Sequence, residues 1–67
     1  MTKDEAIILM KTGKAIRHSY FADDEFMFER NGRYHFEDKV SCTPREFWAE
    51  RIGSEWETGW DIHIEMV

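Results

Sequence analysis

A chain of 67 residues with 14 acidic and 9 basic side chains, formal charge −5, makes one small domain, at the size where a single core barely offsets chain entropy. That acidity argues against nucleic-acid partners, which need clustered Lys and Arg to neutralise phosphates. The single cysteine, Cys42, rules out an internal disulfide and fits a reducing compartment. The apolar run Ala6 to Met10 is too short for a signal peptide or a spanning helix, so a soluble, cytoplasmic protein with no membrane partner is expected.

Charge is uneven along the chain. Lys3, Lys11, Lys14 and Arg17 outnumber Asp4 and Glu5 over residues 1–21, and the acid excess lies beyond them. In Thr2-Lys3-Asp4-Glu5 the Thr2 hydroxyl can accept from the amide three residues on while Glu5 reaches back, a capping box. Gly13 can take the left-handed conformation that stops a helix, so residues 3–12 are predicted helical. Residues 14–21 follow as a strand, with Ile16, His18 and Tyr20 on one face and Ala15, Arg17, Ser19 and Phe21 on the other. Neither face is plainly the core one, which leaves room for a bulge or an early strand end.

The segment Glu25 to Asp38 reads as a hairpin. A two-residue Asn31-Gly32 turn would pair Phe28 with His35 and Phe26 with Glu37, scattering aromatics over both faces. A three-residue loop, Arg30-Asn31-Gly32, pairs Phe28 with Tyr34, Phe26 with Phe36 and Glu29 with Arg33, gathers the four aromatics on one face, and is the expected register. After the turn-like Asp38-Lys39 and the short Val40-Ser41-Cys42, Thr43-Pro44-Arg45-Glu46 forms a second capping box with proline at the first helical position. Helix two is predicted over about 44–52, ending at Gly53, with Trp48 and Ile52 on one face and Phe47 beside them. Trp60, Ile62, Ile64 and Met66 alternate with Asp61, His63 and Glu65, the pattern of a strand buried on one side. The fold class is therefore α+β: one compact domain over 1–67, a small antiparallel sheet of about four strands with two helices on one face. The opposite face must meet water or another subunit.

Chemistry-bearing residues are sparse. His18, His35, His63 and Cys42 are zinc-ligand types, but their spacings match no metal-binding pair, so no metal and no cofactor are expected. Asp61, His63 and Glu65 share a strand face without a nucleophile elbow or a phosphate loop beside them, so no catalytic residue is assigned and the chain is not expected to be an enzyme. Ten aromatics in so short a chain either fill the core or line a ligand or self-association surface. The spread acids, Asp23-Asp24-Glu25, Glu37-Asp38, Glu46, Glu50, Glu55 and Glu57, could instead imitate nucleic acid against a basic groove. The stretch Gly13 to Phe21 sets Arg17 and His18 beside Tyr20 and Phe21, cationic donors next to aromatic faces, which are the ingredients for holding phosphate and stacking a base.

The stretch "DEAIILMKTGKAIRHSYF" resembles the opening of the anti-Thoeris proteins of the second type, small phage proteins that act as nucleotide sponges. Shared features are the acidic residue, Glu5-Ala6-Ile7, Lys11, Gly13-Lys14, the β-branched Ile16, basic residues and an aromatic; His18 and Phe21 stand where the family typically has Arg and Trp. The ending "GWDIHIE", Gly59 to Glu65, is similar as well. The resemblance implies a phage-encoded counter-defence protein that forms a homo-oligomer in the host cytoplasm. It implies sequestration, without cleavage, of a small anionic nucleotide signal, a cyclic dinucleotide or an ADP-ribose derivative. The expected ligand-binding residues are Arg17 and His18 for phosphate, and Tyr20, Phe21 and Trp60 for stacking. Replacing Arg17 and His18 together by Ala is expected to abolish binding and leave the fold intact. The competing expectation is direct inhibition of a host defence enzyme, with exposed aromatics such as Trp48 or Trp56 as anchors.

Overall fold

The computed structural model describes residues 1–64. The order is α1 (Lys3–Lys11), β1 (Ile16–His18), β2 (Met27–Arg30), β3 (Arg33–Phe36), β4 (Ser41–Cys42), α2 (Pro44–Ala49), a 3₁₀ turn at Ser54–Trp56, and β5 (Trp60–Ile62). The strands form one antiparallel sheet in the order β4-β3-β2-β1-β5. The α+β class with two helices and an antiparallel sheet is as the sequence indicates. Five strands form rather than about four because Ser41 and Cys42 pair with His35 and Tyr34 as an edge.

Both helices start as their capping chemistry dictates. Thr2 N donates to Glu5 Oε1 at 2.8 Å while Thr2 Oγ1 accepts from Glu5 N at 3.2 Å. Thr43 and Glu46 repeat the exchange at 2.9 and 3.1 Å. The hydrogen bonds from the Thr backbone amide, and then the Thr side chain, hold each carboxyl below the usual carboxylate range. A folded value below the unfolded one means that stability is fully present above the unfolded value and is lost as pH falls through the folded one. The melting temperature should therefore drop as the pH falls below the ordinary glutamate value of 4.5, and a Glu5→Gln/Glu46→Gln variant, unable to titrate there, should drop less steeply. Thermal circular dichroism across that range checks it, and equal slopes would exclude the two boxes as the source.

Side chains from one face of the sheet and both helices meet in a single core: Ala6 and Met10 of α1, Ile16, Met27, Tyr34 and Trp60 of the sheet, Phe47 of α2, and Phe21 from the loop after β1. The register explains this grouping. Ile16 pairs with Met27, Met27 with Phe36, and His18 with Trp60, so all point inward together.

Several boundaries differ from expectation, each for a local reason. β1 ends at His18 because Phe21 N turns back onto His18 O at 2.9 Å, which throws Tyr20 outward and swings Phe21 into the core, off the face it was expected to share with Arg17. The hairpin uses the two-residue turn. Asn31 and Gly32 both have positive φ, 53° and 75°, the pairing whose twist matches the flanking strands. Phe28 consequently opposes His35, Met27 opposes Phe36 and Arg30 opposes Arg33, overturning the three-residue loop and its single aromatic face. α2 stops at Ala49; Ile52 is 86% exposed and shares no buried face with Trp48. β5 is buried only at Trp60, with Ile62 42% and Ile64 76% exposed, so its alternation does not mark a buried face along its length. Glu65 and Met66, the end of that predicted strand, lie outside the described residues. Among the described residues, no helix is long and apolar enough to cross a membrane.

Candidate functional site

The residues expected to bind ligand are divided between the two faces of the sheet. His18 is 1% exposed, and both its ring nitrogens are engaged. Nε2 lies 3.0 Å from Glu55 O and 2.7 Å from Thr58 O, and Nδ1 lies 3.0 Å from the Tyr20 amide. Carbonyls accept and an amide donates, so the hydrogen sits on Nε2 and the Nδ1 lone pair receives Tyr20 N–H. The ring is enclosed by Trp56, Trp60 and Tyr20 at centroid distances of 4.4, 4.7 and 5.2 Å. His18 thus ties the sheet to the segment Glu55–Thr58 and has no nitrogen left for a phosphate. Phe21 and Trp60 are core side chains, 7% and 2% exposed, and Trp60 Nε1 donates to Trp56 O at 2.8 Å. Tyr20 is exposed, on the helix side of the molecule, its ring set edge-on to His18 and Trp56. Arg17 points the other way, opposite Asp61 of β5, in a hollow of about 350 Å³ lined also by Ser19, Gly59 and His18, so this hollow is where the two residues expected to hold phosphate meet, with the His18 nitrogens already taken up.

The anchors of the competing reading are half-buried and already in contact with neighbours. Trp48 Nε1 donates to the Tyr34 hydroxyl at 3.0 Å and the Lys3 ammonium sits 4.5 Å from its ring. Trp56 packs against His18 and beneath the Arg51 guanidinium. Burial, followed by the nearby Glu46 carboxylate, pushes the Cys42 thiol up, which makes it a poor nucleophile.

The helix-free face carries what the sequence placed elsewhere. The two-residue turn puts Phe28 outward beside His35, ring centroids 5.4 Å apart and nearly parallel at 15°. His63, bonded through its amide to Ala15 O at 2.9 Å, stacks on Phe26 at 4.2 Å and 16°. Between these pairs lies a hollow of about 370 Å³ lined by Gly13, Lys14, Ala15, Phe26, Phe28, Arg30 and His63. The Arg30 guanidinium lies 5.3 Å from the Phe28 ring.

Arg30 and Arg33 stand directly opposite one another across the hairpin, like charges whose pairing is unfavourable by itself. Arg33 is turned toward Ser41 Oγ at 3.3 Å. Lys14 and Arg30 line the hollow with the two aromatic rings, Arg17 stands in the neighbouring hollow opposite Asp61, and Glu37 Oε2 accepts from Phe26 N at 3.4 Å, so the cations here are accompanied by the carboxylates of Asp61 and Glu37. Glu29, the acidic residue of β2, opposes Tyr34 and faces inward. Such a face offers stacking surfaces and charge-assisted donors side by side.

Sequence reasoning missed Lys14, Phe26, Phe28, Arg30, His35 and His63 as a group. The Asn31-Gly32 dipeptide was the available signal: taken as a two-residue turn, it sets Phe28, His35, Arg30 and Arg33 on one face. Compared with protein-family models, curated proteins and solved structures, the chain gives no match to any of them.

Proposed function

We propose that this protein binds a small anionic nucleotide on the helix-free face of its sheet and sequesters it without cleaving it. The observation that carries the reading is the hollow in which Phe26 and Phe28 stand among Lys14, Arg30 and the imidazole of His63. Aromatic walls suit a base and the two cations suit a phosphate, and sequestration asks only for affinity. The resemblance to the nucleotide sponges supplies the biological frame: a phage-encoded counter-defence protein of the host cytoplasm, self-associating, with a cyclic dinucleotide or an ADP-ribose derivative as ligand. The binding residues differ from the expected set, with Arg17 retained at the margin and His18, Phe21 and Trp60 assigned to the core.

Thermal shift against a panel of cyclic dinucleotides and ADP-ribose derivatives tests it. A ligand present at about a hundred times its dissociation constant stabilises by about 2.7 kcal/mol, a rise in melting temperature on the order of 10–20 °C for a domain of this size. A Phe28→Ala/Arg30→Ala variant should bind at least about tenfold more weakly, by loss of one stacking face and one charged donor. No shift with any ligand of the panel well above micromolar would sink the proposal.

A further inference from the structure

We infer that the same face takes more than one nucleotide at a time, binding a short single-stranded oligonucleotide with one base against Phe26 and the next against Phe28. The inference rests on the reading of this face as a nucleotide site and extends it to a polymer. Phe26 and Phe28 are two residues apart, so their side chains leave the same face about 6.6 Å from each other. That separation suits successive bases of an extended strand, splayed apart rather than stacked on one another.

Each ring is already held in place, Phe26 by His63 at 4.2 Å and Phe28 by His35 at 5.4 Å, so little freedom is left to lose on binding. The cations are distributed rather than convergent. Lys14 and Arg17 lie on the β1 side of the two rings, Arg30 and Arg33 at the hairpin end. A row of separated positive charges matches consecutive phosphates better than it matches one. Net charge, which argued against nucleic acid for the chain as a whole, does not describe the hollow itself, whose charged lining is Lys14 and Arg30; Asp61, opposite Arg17, and Glu37, bonded to Phe26 N at 3.4 Å, mark its acidic margins and confine a strand to the path between the two rings.

Fluorescence anisotropy with a labelled single-stranded hexanucleotide, a duplex of the same length and unlabelled mononucleotides as competitors tests the inference. The hexanucleotide should bind at least about tenfold tighter than a mononucleotide, and log affinity should fall against log salt with a slope of about −2, as for roughly three phosphates neutralised. Phe26→Leu and Phe28→Leu keep apolar bulk and remove the π face. Each should weaken the hexanucleotide by about fivefold or more, with melting temperatures recorded alongside to confirm folding.

Mononucleotide binding with no gain for the hexanucleotide overturns the inference and leaves the proposed function standing; binding of neither also overturns the inference, while the proposed function stands or falls with the panel of cyclic dinucleotides and ADP-ribose derivatives. Equal binding of the duplex, or indifference to both Leu variants, would mean charge alone holds the strand, and overturns it as well.

Discussion

Replacing His18 by Ala should lower the melting temperature by on the order of 20 °C or leave the protein largely unfolded, whereas Arg17→Ala should shift it by only a few degrees. The sequence alone suggests that both could be removed without harm to the fold; their surroundings say otherwise. Removing the His18 ring opens a cavity among Trp56, Trp60 and Tyr20 and strips hydrogen bonds from Glu55 O, Thr58 O and Tyr20 N. A buried aromatic truncated to Ala costs about 3–5 kcal/mol, and each polar group left buried without a partner adds about 1–3 kcal/mol. A domain of this length holds on the order of 3–10 kcal/mol in total. Arg17 is on the opposite face, half-buried, and outside the core. Urea and thermal denaturation of the two single variants decide it. A His18→Ala protein melting within a few degrees of the native one would show that the ring does not tie Glu55–Thr58 to the sheet.

Beside Arg17, Tyr20 and Phe21, an imidazole looks like one member of a cationic-aromatic cluster, because linear sequence sets neighbours side by side. A strand alternates, so Arg17 and His18 leave opposite faces, and the two carbonyls that take up His18 Nε2 come from residues 37 and 40 positions later, Glu55 in a 3₁₀ turn without a side-chain cap and Thr58 just after it. Long-range satisfaction of a buried polar group leaves no trace in spacing. The capping boxes at Thr2 and Thr43 were legible for the opposite reason, since donor and acceptor lie three residues apart and the exchange is local.

The hairpin falls between these cases. Asn31-Gly32 carried its own turn chemistry, but the expectation that aromatics should share a buried face overrode it. That expectation assumes the sheet has one useful apolar side. Here Tyr34 and Phe36 serve the core while Phe26 and Phe28 stack on histidines at the other surface, so the local turn preference was the better guide. The last strand shows a limit of the same kind: alternation predicts a buried side only where something lies over it, and cover ends at Trp60.

Gly59→Ala should be the second most damaging single change, and its contrast with Gly13→Ala separates two effects that a single variant would confound. Both glycines have nearly the same left-handed backbone, φ +90° and +94°, so a side chain strains each by a similar amount, about 1–3 kcal/mol. Around Gly13 nothing lies within 4 Å of an added Cβ. At Gly59 that Cβ would sit 2.9 Å from Ser19 Oγ and 3.0 Å from His18 Nε2. Ser19 is exposed and can turn away, but His18 is fixed by Glu55 O and Thr58 O, so the ring must shift and its hydrogen bonds lengthen. Overpacking of this kind costs about a further 1–3 kcal/mol. Gly59→Ala should therefore melt on the order of 10 °C below Gly13→Ala. Adding Ser19→Ala should recover only a small part of that difference, because it relieves the movable contact and leaves the fixed one. Equal melting temperatures for the two glycine variants would mean that His18 has slack and is not locked between its carbonyls. Nucleotide binding per folded molecule should be unchanged by Gly59→Ala, since Gly59 borders the hollow of Arg17 and Asp61 and not the one walled by Phe26 and Phe28.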